Sequence, residues 1–362
     1  MKALAFYLPQ FHPTPENNRW WGPGFSEWHN VSKAKPLFKG HRQPQIPADL
    51  GFYDLRCEDT RREQVELAKA YGIDGFCYYH YWFSGKRLLN EPFDRMLHDK
   101  TSLPFCLCWA NETWSRTWDG KERDILIKQE YSEEDFRAHA RFLAPIFKDP
   151  RYIQINGEPL FLIYCLGNIP DIDRALNTFR TEFQKCGIDK VHLCAVRSIS
   201  MSLDESALLR LGISDIVDFE PNPANFPPRK IMGKGFRFLQ RIWNQLFPAF
   251  AVNSILRLSY KAVAQNALAR YSKPSCITHY PTVFPNWDNS PRRKAATIIQ
   301  NPAPELFEDW VRRAKSVAER NPPEQQFLFI NAWNEWAESA HLEPDRNMGH
   351  SYLEALRKGL GR

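Results

Sequence analysis

The chain has 362 residues, of which 43% are hydrophobic and 25% are charged, and its formal net charge is +6. This composition supports a large buried core in one or two domains and excludes an intrinsically disordered protein. No uninterrupted apolar stretch approaches the roughly 20 residues of a membrane-spanning helix.

Eight short apolar runs predict strands that are buried on both faces, as parallel strands are. In chain order they are 3–7, 75–79, 105–109, 160–164, 192–196, 216–219, 277–279 and 327–331. Helical patterns lie between them, for example at 59–71, 133–147, 171–186 and 304–320. The alternation predicts a single (β/α)8 barrel domain over residues 1–362. A doubly wound sheet is the alternative, but no Gly-x-Gly-x-x-Gly motif follows the first run.

The first run begins close to the N-terminus, at Ala3, and the residues around it do not form a signal peptide. We therefore expect a cytoplasmic protein.

Polar and aromatic side chains follow the ends of the predicted strands. They include His80 and Trp82 after the second; Asn111, Glu112, Trp114 and Arg116 after the third; Tyr280, Trp287, Asp288 and Asn289 after the seventh; and Asn334, Glu335 and Trp336 after the eighth. The carboxyl ends of the strands are the face on which barrel enzymes build their sites. We expect these side chains to converge on one pocket.

The segment between the sixth and seventh strands is strongly basic. From Pro221 to Trp287 there is no Asp or Glu, but there are nine Lys and Arg residues. Apolar pairs at helical spacing predict a basic amphipathic insertion at 228–275. This insertion either packs on the barrel, or it presents a surface at 229–273 that binds an anionic membrane or an acidic partner. If the segment binds a membrane, we expect the protein to lie peripherally at the inner membrane. No nucleic-acid motif accompanies the segment.

The C-terminal motif Trp333-Asn334-Glu335-Trp336-Ala337-Glu338 places two glutamates three positions apart between tryptophans. Aromatic faces pack on pyranose rings, and a partly buried Glu can have the raised pKa that a general acid needs. A strand followed by a helix with acids in its first turn would explain the same residues without catalysis. With the other strand ends, the motif favours carbohydrate chemistry.

Several long motifs resemble the WbsX-type proteins of bacterial surface-polysaccharide gene clusters. They lie at 7–13, 20–28, 43–56, 79–83, 109–114, 287–292 and 333–338, so the resemblance spans nearly the whole chain. That family is similar to glycoside hydrolase family 99, whose members are endo-acting α-mannosidases and mannanases with a (β/α)8 fold.

The resemblance implies roles for individual residues. Glu335 matches a base that helps the sugar's 2-hydroxyl attack C1, and Glu338 matches the acid/base for the leaving oxygen. The implied substrate contacts in the motifs are Glu27, Trp28, Tyr79, His80, Trp82, Asn111, Trp114, Trp287, Asp288 and Asn289, and the strand ends add Arg116, Tyr280, Asn334 and Trp336. Glu112 follows Asn111 as the acid/base does in many other barrel glycosidases, so Glu112 as acid with Glu335 as nucleophile is the alternative pair.

These observations predict an endo-type glycoside hydrolase or transglycosylase for α-linked, mannose- or rhamnose-type bacterial glycans, with an oligo- or polysaccharide partner that a lipid can carry. A glycosyltransferase of O-antigen, lipopolysaccharide or capsule biosynthesis and an inactive glycan-binding barrel are the alternatives. Asp171 and Asp173 match the metal-binding Asp-x-Asp motif of sugar-nucleotide enzymes, but they open a helical pattern in which acids are ordinary. We expect no metal or cofactor and no nucleic acid.

Overall fold

Eight parallel strands close into a barrel in the computed structural model, which describes residues 1–116, 121–198, 201–228 and 255–362. The strands are β1 (Lys2–Tyr7), β2 (Gly75–Phe83), β3 (Phe105–Trp109), β4 (Glu158–Ile163), β5 (His192–Val196), β6 (Asp215–Asp218), β7 (Thr278–Val283) and β8 (Phe327–Ile330). Each strand pairs with the next, and β1 also pairs with β8, with Ala5 opposite both Phe76 and Ile330. All eight strands predicted from the apolar runs are present, and the predicted (β/α)8 barrel is confirmed.

In the described part of the chain, eight helices surround the barrel. They are α1 (Glu58–Ala70), α2 (Glu91–Met96), α3 (Glu133–Phe147), α4 (Ile172–Lys185), α5 (Glu205–Arg210), α6 (Tyr260–Tyr271), α7 (Pro304–Ala318) and α8 (Ser351–Leu360). In α3, for example, the Ser132 side chain accepts a hydrogen bond from the Asp135 backbone N–H and begins the helix. Phe136, Ala140 and Leu143 then fall on one face at helical spacing and are buried against the barrel.

Shorter elements lie between the barrel strands, and several of them follow the carboxyl ends of the strands. Two helices, Pro15–Trp21 and Trp28–Lys33, follow β1, and a 3-10 helix, Trp336–Glu338, follows β8. The short strands are Lys86–Leu88, Trp114–Arg116, Lys121–Ile127, Gln154–Ile155, Leu256–Ser259, Trp287–Asp288, Thr297–Gln300, Asn334–Glu335 and Ala340–His341. The other 3-10 helices are Leu166–Asn168, Pro223–Asn225 and Pro323–Gln325.

The second strand is longer than its apolar run predicts, and this changes where its side chains point. Since β2 continues to Phe83, residues 79 to 82 alternate between its two faces. Tyr79 and Tyr81 face the carboxyl-end pocket described below. His80 and Trp82 face α3 instead.

The predicted basic insertion at 228–275 lies largely outside the described residues. Its described part contains Leu256–Ser259 and α6, which is the helix that connects β6 to β7. The apolar side of α6, including Tyr260, Val263 and Ala267, is fully buried. Among the described residues, no helix combines the length and the apolar character that crossing a bilayer requires.

One of the nine basic residues is part of the protein interior. Arg270 of α6 lies 2.9 Å from the carboxylate of Glu220, which has no exposed surface and also accepts a hydrogen bond from the Asn222 backbone N–H. Burial raises the pKa of Glu220 to about 8, although Arg270 opposes the shift. Arg270 is therefore a partner of a buried carboxyl group and not a free surface charge.

We predict that Glu220 makes the stability of the protein fall as the pH rises. Between the usual pKa of a glutamate and about 8, the folded chain keeps a proton on Glu220 that the unfolded chain has released. Rising pH in this window therefore lowers the free energy of unfolding, by at most about 1.4 kcal/mol per pH unit from this group. Glu220→Gln should flatten the slope in urea denaturation at pH 5, 6, 7 and 8.

The matched control is the exposed Glu63. Glu63→Gln should leave the slope as it is in the unmodified protein. Parallel pH dependences for Glu220→Gln and the unmodified protein would show that Glu220 is ionised throughout.

Candidate active site

A pocket of about 570 Å³ opens over the carboxyl ends of the barrel strands. Eight residues that the sequence analysis selected line it: Glu27, Tyr79, Glu112, Trp114, Trp287, Asn289, Glu335 and Glu338. Residues that follow β1, β4, β6 and β8, such as Gln10, Tyr164, Pro221 and Asn331, complete its floor. Segments far apart in the chain therefore meet in one site, as the barrel topology predicts.

Glu335 and Glu338 belong to a small hairpin that follows β8. Asn334–Glu335 pairs with Ala340–His341, and the 3-10 turn Trp336–Glu338 connects the two strands. The Asn334 side chain fixes this hairpin to the end of β1, because its amide accepts from the Leu8 backbone N–H at 2.8 Å and donates to the Leu8 carbonyl at 3.0 Å. Asn334 thus positions the glutamates and does not line the pocket.

A buried carboxylate holds the hairpin from below. Glu343 accepts hydrogen bonds from the Trp336 indole at 2.6 Å, from the Tyr53 hydroxyl at 2.7 Å and from the Gln64 amide at 2.6 Å. Burial raises the pKa of Glu343 to about 7, and these donors oppose the shift. Trp28 packs on Trp336 and donates its indole N–H to the Tyr53 carbonyl. The two tryptophans therefore support the site from behind, and neither of these predicted substrate contacts lines the pocket.

One guanidinium group links three glutamates in the wall of the pocket. Arg292 lies 2.8 Å from Glu27, 3.0 Å from Glu335 and 3.4 Å from Glu338, measured between side-chain nitrogen and oxygen atoms. Glu27 is also held by the Asn30 amide at 3.0 Å. The sequence analysis included Arg292 in a family motif but did not select it as a site residue. Only the closed fold brings it beside Glu335.

The wall of the pocket contains three glutamates and one bridging arginine, and these charged groups shift the pKa values of the glutamates. Burial raises the pKa of Glu335 well above its usual value; Arg292 counters this shift, and Glu338 and Glu27 add to it. Burial likewise raises the pKa of Glu338, again against the effect of Arg292. Because three carboxylates share one bridging guanidinium, the Glu335 and Glu338 pair is suited to hold a proton and to titrate as a unit. A group that can both take and give a proton is what acid/base catalysis requires.

Glu112 is the fourth glutamate of the pocket. It follows β3 and lines the pocket; the surrounding protein raises its pKa by desolvation, a hydrogen bond with Cys165 opposes this shift, and the charge of Glu338 adds to it. Both pairings from the sequence, Glu335 with Glu338 and Glu112 with Glu335, are therefore available in the same pocket.

Aromatic rings form one wall beside Glu112. Trp114 packs edge-to-face on Tyr81, with ring centroids 5.1 Å apart, and on Trp20 at 6.1 Å. Arg116 lies over the ring of Trp21, 4.9 Å from its centroid, so it supports the rim through another aromatic residue. Trp20, Trp21 and Tyr81 line the pocket but were not selected from the sequence. Flat apolar faces of this kind suit the C–H side of a sugar ring.

His80 and Trp82, which the sequence analysis predicts as substrate contacts, do not line the pocket. The His80 ring lies 2.9 Å from that of His139 in α3, and the Trp82 indole donates to Asp135 at 2.8 Å. Burial lowers the pKa of His80 to about 3, so the ring is neutral inside the barrel wall. Both side chains fasten α3 to β2.

Three further predicted contacts lie outside the pocket for similar reasons. Asn111 is fully buried and exchanges two hydrogen bonds with the Cys165 backbone, which ties the end of β3 to that of β4. Tyr280 is packed among barrel rings such as Phe327. Asp288 points away from the pocket, since it alternates with Trp287 and Asn289 along the chain and accepts hydrogen bonds from His41 and Gln43.

The fold is shared with known glycoside hydrolases. The chain is similar to the glycoside hydrolase family 99 endo-α-mannosidase from Bacteroides thetaiotaomicron, with a TM-score of 0.57 and 12% identity over 99% of this chain and 96% of that chain. It is also similar to a glycoside hydrolase-like protein, with a TM-score of 0.59 and 12% identity over 99% and 93% of the two chains. The chain therefore has the barrel fold of these proteins.

The sequence gives a closer relationship. The family model described as Glycosyltransferase WbsX matches residues 3–356, and the chain belongs to this family. The chain is also 41% identical over 362 residues to WxcX of Xanthomonas campestris pv. campestris, which is named an uncharacterized protein, in two strains. The match covers 99% of this chain and 49% of WxcX, so the chain spans about half the length of these curated relatives.

We predict that the stabilising effect of Arg292 depends on pH. Arg292→Met leaves Glu27, Glu335 and Glu338 without their shared counter-ion, and breaking a buried ion pair costs about 3–5 kcal/mol. The loss in the free energy of unfolding should be largest near pH 8 and smaller near pH 5, where the glutamates take up protons. Urea denaturation at the two pH values measures it.

Arg293 is the matched control, since it is the neighbouring arginine, lines the same pocket and is exposed. Arg293→Met should change the free energy of unfolding by no more than about 0.5 kcal/mol. An equal loss at both pH values for Arg292→Met would contradict the charge-based explanation.

Proposed function

We propose that this chain cleaves or transfers α-linked mannose- or rhamnose-type residues within a bacterial glycan. The observation that carries the proposal is the buried pair of Glu335 and Glu338, bridged by Arg292, in the wall of a pocket with aromatic sides. The pocket, at about 570 Å³, falls within the range of small-molecule sites and is larger than one sugar ring needs. This size is consistent with an endo-acting enzyme that holds residues on both sides of the bond.

We propose that Glu335 acts as base and Glu338 as acid/base. Glu335 takes the proton of the 2-hydroxyl, O2 attacks C1, and the bond from C1 to the glycosidic oxygen breaks as Glu338 protonates that oxygen. In α-mannosides and α-rhamnosides the 2-hydroxyl is trans to the leaving group, which this displacement requires. Glu338 then deprotonates a water or an acceptor hydroxyl, which opens the three-membered ring at C1 while O2 recovers a proton from Glu335.

A transfer reaction fits the same residues and is the second candidate. The name of the family model favours it, and an acceptor hydroxyl in place of water turns hydrolysis into glycosyl transfer. Such transfer needs no sugar nucleotide. Asp171 lies before the start of α4 and lines a different pocket from that of the glutamate pair.

We further propose that the glycan is carried on a lipid, and that basic residues place the enzyme at an anionic membrane. The support is the sequence of 229–273, which contains nine basic residues. Lys261 and Lys273 of its described part are exposed, whereas Arg270 is paired with Glu220. Salt-sensitive sedimentation with anionic liposomes is the expected behaviour. Binding that is absent, or indifferent to salt, would contradict this placement.

We predict that Glu335→Gln and Glu338→Gln each lower turnover by at least about 10²-fold on α-linked mannan or rhamnan oligosaccharides. The amide cannot take or give the proton, while its size and most of its contacts are kept. Product formation by purified full-length chain measures the effect. A substrate that lacks the 2-hydroxyl on the reacting residue should be inert with the unmodified enzyme.

Two further variants separate the pairings. Glu354→Gln, on the exposed side of α8, is the matched control and should keep full turnover. Glu112→Gln should reduce turnover less than Glu338→Gln does. If Glu112→Gln abolishes turnover while Glu338→Gln is active, Glu112 and Glu335 are the catalytic pair. Full activity in both Glu335→Gln and Glu338→Gln would contradict the proposed roles.

A further inference from the structure

A second cavity of about 190 Å³ lies on the other side of the wall that carries the catalytic glutamates. Adjacent residues of this wall face opposite ways. Trp287, Asn289 and Glu338 line the catalytic pocket, whereas Asp288 and Ser339 line the second cavity. The second cavity therefore adjoins the catalytic hairpin but has its own set of side chains.

The floor of the second cavity is held rigid by hydrogen bonds. His41 accepts from the Leu37 backbone N–H through Nδ1, so its Nε2–H donates to Asp288, at 2.6 Å. Gln43 donates from its amide nitrogen to Asp288 at 2.6 Å and to Ser339 at 3.0 Å. Because these hydrogen bonds link three segments of the chain, they hold the shape of the cavity.

His341 directs a hydrogen-bond acceptor into this cavity. The residue is 5% exposed, and its Nδ1–H donates to the Glu343 carbonyl at 2.9 Å. Burial lowers the pKa of His341, so the ring is neutral and Nε2 carries a lone pair. Its ring is stacked on Trp336 with centroids 3.7 Å apart, which fixes the direction of Nε2. Within the described residues, Nε2 has no hydrogen-bond partner.

Two other buried side chains offer unpartnered polar atoms. Asp345 is 6% exposed; one of its oxygens accepts from the backbone N–H groups of Asn347 and Met348, and the other makes no hydrogen bond in the described part of the chain. Tyr352 is 8% exposed, and its hydroxyl likewise has no partner there. All three residues line the cavity, and because these atoms have no partner among the described residues, they are available to a polar occupant.

We propose that this cavity is a second carbohydrate site, which binds one neutral sugar residue. Since a liquid water fills about 30 Å³, the cavity has room for roughly six waters, which matches a single pyranose ring and exceeds an ion. His341 and Asp345 accept hydroxyl protons, the Tyr352 hydroxyl donates or accepts, and Gln300 and Asn347 add amides to the lining.

The remaining features of the cavity favour a sugar over a cation. Phe38 lines the cavity with its ring stacked on His41, so it adds apolar carbon and no charge to the lining. The described residues contain no group of three or more His, Cys, Asp or Glu side chains arranged to hold a metal ion. The identity of the ligand as a sugar rests on the proposed function, whereas binding itself needs no turnover.

Titration of ring-labelled histidine signals by NMR tests this site on the full chain. The probes are methyl α-D-mannopyranoside and methyl α-L-rhamnopyranoside, and His341 is assigned with a His341→Asn variant. We expect a saturable shift of the His341 signal. Tyr352→Phe and Asp345→Asn should each raise the dissociation constant at least tenfold, since Asn keeps the turn at 345–348 but replaces an acceptor.

Control variants separate this site from the catalytic pocket. Glu335→Gln with Glu338→Gln, and Tyr131→Phe at a distant hydroxyl, should leave the His341 titration unchanged. A titration that is lost in the glutamate variants and unaffected by Tyr352→Phe and Asp345→Asn would overturn the proposal, as would no His341 shift with either sugar at 100 mM. A His341 shift caused only by Mg²⁺, Ca²⁺ or Zn²⁺ would overturn the ligand class. If a sugar shifts the His341 signal but the chain cleaves no glycan, the second site is supported and only the proposed function is contradicted.

Discussion

The contact of Arg292 with Glu27, Glu335 and Glu338 is the constraint on which the candidate site depends. Burying three carboxylates is costly unless a cation lies between them. Their segments follow β1, β7 and β8, so only a barrel that closes between β8 and β1 can supply that cation. The same closure leaves more carboxylates than bridging guanidinium groups, and this imbalance favours a proton shared by the glutamates.

The hairpin at 334–341, which carries Glu335 and Glu338, is held in place by hydrogen bonds at both of its sides. Asn334 ties it to β1, and Glu343 ties Trp336 to Tyr53 and Gln64. These contacts explain why tryptophans near the glutamates are buried and cannot stack on a ligand. Rings from other segments, Trp20, Trp21 and Trp114, line the pocket instead. The hairpin also separates this pocket from the second cavity, so its two faces line two different cavities.

The sequence predicted the barrel well because buried parallel strands leave continuous apolar runs, and all eight appear where those runs lie. It predicted the segments of the site better than the direction of each side chain. His80 and Trp82 were misplaced because β2 extends to Phe83 and its side chains alternate. Arg292 and Glu27 are 265 positions apart, and no local pattern shows that they pair. Asp288 follows the same rule of alternation and faces the second cavity.

A crystal structure of Glu335→Gln with an α-linked manno- or rhamno-oligosaccharide spanning the pocket tests the central claim most directly. The account predicts the 2-hydroxyl within hydrogen-bond distance of the side chain at position 335 and the glycosidic oxygen within hydrogen-bond distance of Glu338. A glycosidic oxygen on Glu112, with C1 facing position 335, would contradict it and establish the covalent pairing.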